Sequence, residues 1–422
     1  MKNRILWAAI PLVIMATVFT AGCGEKSQEL IVTPTPVEPD SVPTTVQLTR
    51  AEQEMVNSSN EFAFNLFRTA QDEVKSQILS PLSITYALGM LNNGATGDTQ
   101  KQITNVLGFG DTGADSINLF CYKMLNIAAK LDPLTKVLIA NTIYVNQPYE
   151  LQAEFVAKAR DFYNAEPETR DFNDGKTMDV INQWASDHTE RMIEKVLDEN
   201  SFNPRAVSYL LNAIYFKGSW ANSFDKALTM QMPFAQAGDT KSQTTVDMMN
   251  KNDEFGYTEN DSYQALRLPY GNGSYAMTVL LPKTEGNALP KVPTAQEWWQ
   301  LTQNMMPHTV YVSMPRFKTD TDINLVPIMT KLGVLDAFDT AKADFRNFCN
   351  TDVYIDLMKQ VARIKVDEEG TEAAAVTVIG VKDNAVAPDP EYVVFRADHP
   401  FLYVISEQST GAVFFIGQYT GN

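Results

Sequence analysis

Only three of the 422 residues are cysteine, and only three are histidine: His188, His308 and His399. So few cysteines cannot build a disulfide framework, and so few histidines leave little for metal or triad chemistry. Positive charge is also scarce, with 34 Lys and Arg against 51 Asp and Glu, a formal net charge of −17. Phosphate backbones need a basic surface, so nucleic acid is excluded as a partner. The local signatures of common enzymes are missing as well. There is no GxSxG elbow, no HExxH, no phosphate-binding Walker loop and no GxGxxG after a strand. Asp320, Asp322 and Asn324 imitate the start of a calcium loop, but Leu325 stands where that loop requires Gly and no Glu closes it. They read as a solvated turn after a strand. His308 reads as a loop residue, and His399 as packed near a strand start. No metal, no cofactor and no catalytic turnover is expected.

What is present is ordinary globular composition, with 44% apolar and 20% charged residues. Residues 1–23 have the layout of a targeting segment. Lys2 and Arg4 make a short positive start. Residues 5–19 form an apolar run, short for a spanning helix. Thr20-Ala-Gly-Cys23 then supplies small residues before a cysteine. This resembles a bacterial lipoprotein signal, in which Cys23 becomes the acylated first residue, although Thr20 stands where that pattern more often has Leu. The alternative is an ordinary secretory signal with a chance Cys. The resemblance implies a lipid anchor at Cys23 on the cell envelope, at the outer membrane facing periplasm or exterior. Residues 24–48 carry Pro34, Pro36, Pro39 and Pro43 among polar residues and read as a flexible tether. Cys121 and Cys349 read as structural thiols.

Residues 49–422 read as one domain of mixed helices and strands. Residues 51–70 have helical spacing of apolar side chains. Ser80 suits a cap and Pro81 a first turn, for a helix over 82–92 stopped by Gly94. Residues 137–145 and 207–216 are continuous apolar runs, as in central strands covered on both faces. Residues 177–196 read as a helix carrying Asn182, Trp184 and Ile193. Residues 263–281 contain a hairpin turning at Tyr270-Gly-Asn-Gly-Ser274. Residues 310–317 read as one strand, 325–332 as a short helix, and 401–405 and 412–416 as the final strands.

The chain is organised around residues 366–390. They begin as a charged turn at Gly370 and continue as small and β-branched residues from Thr371 to Val381, which favour a pleated backbone. Ala373, Ala374 and Ala375 carry almost no side chain to anchor it. Such a segment can slide between other strands.

Several motifs, met in order, resemble the serpin family of serine-protease inhibitors. Ser80-Pro-Leu-Ser-Ile84 with Ala87-Leu-Gly-Met-Leu-Asn-Asn-Gly-Ala95 is similar to its first buried helix. Asn141, Asn182 with Trp184, and Asn212-Ala-Ile-Tyr-Phe-Lys-Gly-Ser-Trp220 are similar to later sheet and helix signatures. Met248-Met249, Leu268-Pro-Tyr270, Pro315-Arg-Phe317, Ala343-Asp-Phe345, Asp398-His-Pro-Phe401 and Phe414-Phe-Ile-Gly417 continue the likeness to the end of the chain.

The resemblance implies a mixed α+β domain of three β-sheets and about nine helices with an exposed reactive-centre loop at about residues 368–395. It implies a monomeric suicide substrate for a serine or cysteine protease, held in a covalent complex, whose cut loop inserts as a strand over 371–384. Glu368, Glu369, Gly370, Thr371, Glu372, Ala373, Ala374 and Ala375 match the hinge. Ser80, Ser83 and Asn182 match a polar shutter, with Gln360 where the family often has His. Glu368, Arg316 and Trp220 match a gate at the top of the sheet. Counting forward from Glu368 by the family's spacing puts the cut bond at Asn384–Ala385. Counting back from Pro400 gives about Asp389. Lys382 would suit a trypsin-like pocket, and Ala385, Val386 or Ala387 an elastase-like one. The other reading is a serpin-fold binding or chaperone protein that never traps a protease.

Overall fold

The computed structural model describes residue 43 and residues 45–238, 242–283, 288–371 and 392–422. The helices are α1 (Arg50–Ala70), α2 (Pro81–Asn92), α3 (Gly97–Val106), α4 (Ala114–Lys123), α5 (Ala153–Tyr163), α6 (Thr177–His188), α7 (Ala295–Gln303) and α8 (Val326–Leu332). The first strands are β1 (Gln77–Leu79), β2 (Thr135–Asn146), β3 (Glu168–Arg170), β4 (Ser208–Ser219), β5 (Met230–Ala235), β6 (Gln243–Glu259), β7 (Tyr263–Tyr270) and β8 (Tyr275–Pro282). The rest are β9 (Met306–Pro315), β10 (Phe317–Asn324), β11 (Leu357–Asp367), β12 (Gly370–Thr371), β13 (Val393–Arg396), β14 (Phe401–Glu407) and β15 (Val413–Tyr419).

Two hydrogen-bonded sheets stand among the described residues. One has six strands in the order β10-β11-β12-β4-β2-β3. The other has nine, in the order β1-β15-β14-β8-β7-β6-β9-β13, with β5 also on β6. The expected three sheets appear as two because β6 is 17 residues long. Its first part pairs with β5, its middle with β9 and its last residues with β7, so it joins two smaller sheets into one.

The six-stranded sheet is covered on both faces. Leu210, Ile214 and Phe216 of β4 join the main core, where α2 lies wholly buried. Tyr209, Leu211 and Ala213 join a second cluster with Trp184, Ile193 and Val196. Continuous apolar runs in β2 and β4 follow from this double burial. Helix α2 starts where expected, with the Ser80 side chain accepting from the Ser83 amide and Pro81 in the first turn. It stops before Gly94, where a Cβ would lie 2.5 Å from the Cβ of Phe348.

Four sequence expectations need correction. The strand expected over 310–317 is two strands, β9 and β10, one in each sheet, and the chain crosses between them at Arg316. His308 lies on β9, not on a loop. Asp320, Asp322 and Asn324 lie on β10, not in a turn. They alternate with buried Phe317, Thr319 and Thr321, and Asp322 pairs with Lys359 of β11 at 2.9 Å. The helix expected over 177–196 ends at His188, because Glu190 and Arg191 take φ of 50° and 64°, in the left-handed region.

Cys121 and Cys349 are free and buried. Burial pushes the Cys121 thiol up to about 12, so it is an inert apolar filler. Val46 is buried and its amide donates to Ser409 Oγ at 3.0 Å, so packing onto the domain starts ahead of α1, within the segment expected to be tether.

Candidate functional site

Strands β4 and β11 run side by side and parallel, from Tyr209 beside Leu357 to Tyr215 beside Arg363. Past Arg363 they part, and β12 fills the gap. Gly370 pairs with Ser219 on one side and Asp367 on the other; Thr371 pairs with Gly218 and Val366. Both pairings are antiparallel. The seam is thus open at one end and already holds the first residues of a third strand.

The slot is made for this pair. Gly370 has φ of +142°, and a Cβ there would lie 2.2 Å from the Gly218 carbonyl oxygen and 2.7 Å from Ser219 Cα. Only glycine fits. Thr371 is fully buried and its hydroxyl meets the Tyr270 hydroxyl at 2.8 Å. Tyr270 stacks on Trp220, with centroids 4.5 Å apart and planes 11° apart. Trp220 Nε1 donates to the Asp367 carbonyl at 2.9 Å, and its backbone amide donates to the Glu369 carbonyl at 3.0 Å.

Glu368 closes the turn above. Its side chain is 1% exposed, and Arg316 grips it as a fork: Nε lies 2.9 and 2.8 Å from the two carboxylate oxygens, and Nη2 2.6 Å from one. Thr229 Oγ1 donates to the same carboxylate at 2.5 Å. Burial pushes the Glu368 carboxyl up, but the bonds from Arg316 and Thr229 outweigh it, and its pKa ends below the ordinary value. Arg316 also reaches Asp247 at 3.4 Å. Glu369 pairs with Lys226.

Midway along the seam lies Gln360 of β11, fully buried. Its Nε2 is within reach of the Ser80 carbonyl (3.1 Å), Ser83 Oγ (3.1 Å) and Asn212 Oδ1 (2.5 Å), and its Oε1 accepts from the Ser80 amide at 3.0 Å. Ser83 Oγ donates to Asn212 Oδ1 at 2.7 Å, and Asn212 Nδ2 donates to Asn141 Oδ1 at 2.8 Å. Ser80 Oγ donates to the Phe414 carbonyl at 2.8 Å. The knot ties β4, β11, β2 and the start of α2 together, with no group that titrates near neutrality.

The structure brings together Ser80, Ser83 and Gln360, and separately Trp220, Arg316, Glu368, Glu369, Gly370 and Thr371. It does not bring Asn182 to the knot. Asn182 sits on α6, where Oδ1 accepts from the Val196 and Leu197 amides and Nδ2 donates to the Leu197 carbonyl, each at 2.9 Å. It fastens the segment after α6 on the other face of the sheet. Asn212 holds the place given to Asn182. Its alternation with inward-facing Leu210 and Ile214 is the signal that would have found it. Glu372, Ala373, Ala374, Ala375, Lys382, Asn384, Ala385, Val386, Ala387, Asp389 and Cys23 lie outside the described residues. Among the described residues, no group of three or more His, Cys, Asp or Glu could hold a metal ion.

The family model described as Serpin (serine protease inhibitor) matches residues 57–421. Human Serpin B8 is 32% identical over 379 residues, covering 87% of this chain and 99% of that protein. An uncharacterized serpin-like protein of Thermococcus kodakarensis is 30% identical over 376 residues, covering 87% and 85%. Among solved structures, the thermophilic serpin tengpin in its native state matches with a TM-score of 0.80 at 26% identity, covering 91% of this chain and all of that one. The chain belongs to the serpin family.

Proposed function

We propose that this serpin inhibits a serine or cysteine protease as a suicide substrate, trapping it covalently. The protease's nucleophile attacks the carbonyl carbon of Asn384. The bond to Ala385 breaks, Ala385 leaves as an amine carrying the proton, and Asn384 stays as an acyl group on the enzyme. Residues 371–384 then enter the β4–β11 seam as a new strand. Insertion drags the enzyme along and deforms it before water can release the acyl group.

One observation carries this reading. Each residue after Thr371 steps one position back along β4, so residue 380 would meet Tyr209. Counted on β11, the same residue would meet Leu357. Tyr209 and Leu357 are already partners in the closed sheet. The two strands therefore stand in the register that an incoming antiparallel strand needs. They have to move apart, but neither has to slide. The incoming residues also suit the slot. Thr371, Ala373, Ala375, Thr377, Ile379 and Val381 alternate on the side where Thr371 meets Tyr270, and none is charged. About ten new pairings at roughly 0.5–1.5 kcal/mol each would favour the inserted form by order ten kcal/mol.

The test is incubation of the protein with a panel of serine and cysteine proteases. The expected result is a complex that survives denaturing gel electrophoresis, with a released C-terminal peptide whose mass identifies the cut bond. A Thr371→Arg variant should be cut without forming the complex. If every protease merely degrades the loop, the trapping mechanism is wrong.

Lipid attachment at Cys23 completes the proposal, with the residues between Cys23 and Val46 as the tether that holds the inhibitor off a bacterial envelope membrane. The charge pattern of residues 1–4, the apolar run and Ala21-Gly22-Cys23 support it. Cells fed a labelled fatty acid should label the wild type and leave Cys23→Ala unlabelled; equal labelling of the two would sink the anchor.

A further inference from the structure

The far end of the seam has a fastening of its own, separate from the Gln360 knot and from the open end at Gly370. Asp356 immediately precedes β11, and its Oδ2 crosses to the residues that open β4. It accepts from the Val207 amide at 2.5 Å and from the Ser208 amide at 3.3 Å. Ser208 is fully buried, and its Oγ donates back to the Tyr354 carbonyl at 2.8 Å. Two successive backbone amides on one carboxylate oxygen make charge-assisted bonds, stronger than neutral ones. They lie one step beyond Tyr209 and Leu357, the last register partners of the closed seam.

We propose that Asp356 is the end latch of the seam, a positioning residue that holds β4 and β11 together at the point an incoming strand reaches last. This rests on the proposed insertion. An added strand would hold β4 and β11 two strand spacings apart, roughly 9–10 Å, beyond hydrogen-bond reach. The Asp356 bonds to Val207 and Ser208 therefore belong to the closed form alone. Parting can spread from the open end at Gly370 past Gln360, and the latch gives way only when the strand has nearly filled its slot. It stabilises the intact molecule and contributes nothing to the inserted one.

That asymmetry is measurable, because a residue that merely supports the fold would act on both forms. The full-length protein, the Asp356→Ala variant and the milder Asp356→Asn variant are each melted intact and after nicking by a protease that cuts within residues 382–391, beyond the strand that has to insert. Intact Asp356→Ala should melt about 5 °C lower than intact wild type, and Asp356→Asn by less, while the nicked forms of all three melt together. Asp356→Asn keeps the shape of the side chain and serves alone if the alanine variant does not fold. Equal losses in intact and nicked protein would make Asp356 an ordinary structural residue and overturn the latch, as would no loss in either. If nicked wild type melts no higher than intact wild type, the insertion reading itself falls and the latch falls with it.

Discussion

Glu368 concentrates the electrostatics of the open end. It is an anion almost wholly out of water, held by a guanidinium fork and a hydroxyl. Its folded pKa lies below the ordinary value. A carboxyl with a depressed folded pKa adds stability above its unfolded pKa, about 4.3, and that stability is lost as pH falls through the folded value. The open end should therefore be firm at neutral pH and loosen in acid. Arg316 is 39% exposed, so water screens part of the pair. Glu368→Gln should cost about 1–2 kcal/mol at pH 7. The difference from wild type should shrink as pH drops below about 4. Urea unfolding of both proteins across that range checks this; a gap that stays constant with pH would show that the Glu368 charge contributes nothing.

At the scale of elements, the knot around Gln360 decides how readily β4 and β11 part. It contains no apolar substitute for its bonds, since Ser80, Ser83 and Asn212 all point into it. Gln360→Leu would strand those groups in a buried site and should destabilise the intact protein by about 2–4 kcal/mol. Chemical denaturation measures it directly, and a loss under about 0.5 kcal/mol would mean that the knot does not hold the seam. These elements were unequally legible in the sequence. Helix α2 was readable from Ser80 and Pro81, and β2 and β4 from unbroken apolar runs, because local chemistry and double burial leave a direct mark. The break at Arg316 was not readable. Two strands meet there without a turn, and only the sheets they join tell them apart. The place of Asn212 was hidden for a related reason. Asn182 and Asn212 are both buried amides in family motifs, and which one reaches Gln360 depends on the face of the sheet, a tertiary fact. His308 and the aspartates of β10 looked like loop residues because exposed strand faces are polar.

At the scale of the molecule, the described residues hold a closed sheet whose open end already contains the first two residues of a further strand. On the proposed insertion, the inserted form is the more stable of the two. Cutting the loop should let that strand fill the seam. The most direct measurement needs no knowledge of the target. The protein is nicked within residues 382–391, beyond the strand that has to insert, and the melting temperatures of intact and nicked forms are compared. A gain of order ten kcal/mol corresponds to a rise of about 13 °C in a domain of this size. A nicked protein that melts at or below the temperature of the intact one would contradict the claim.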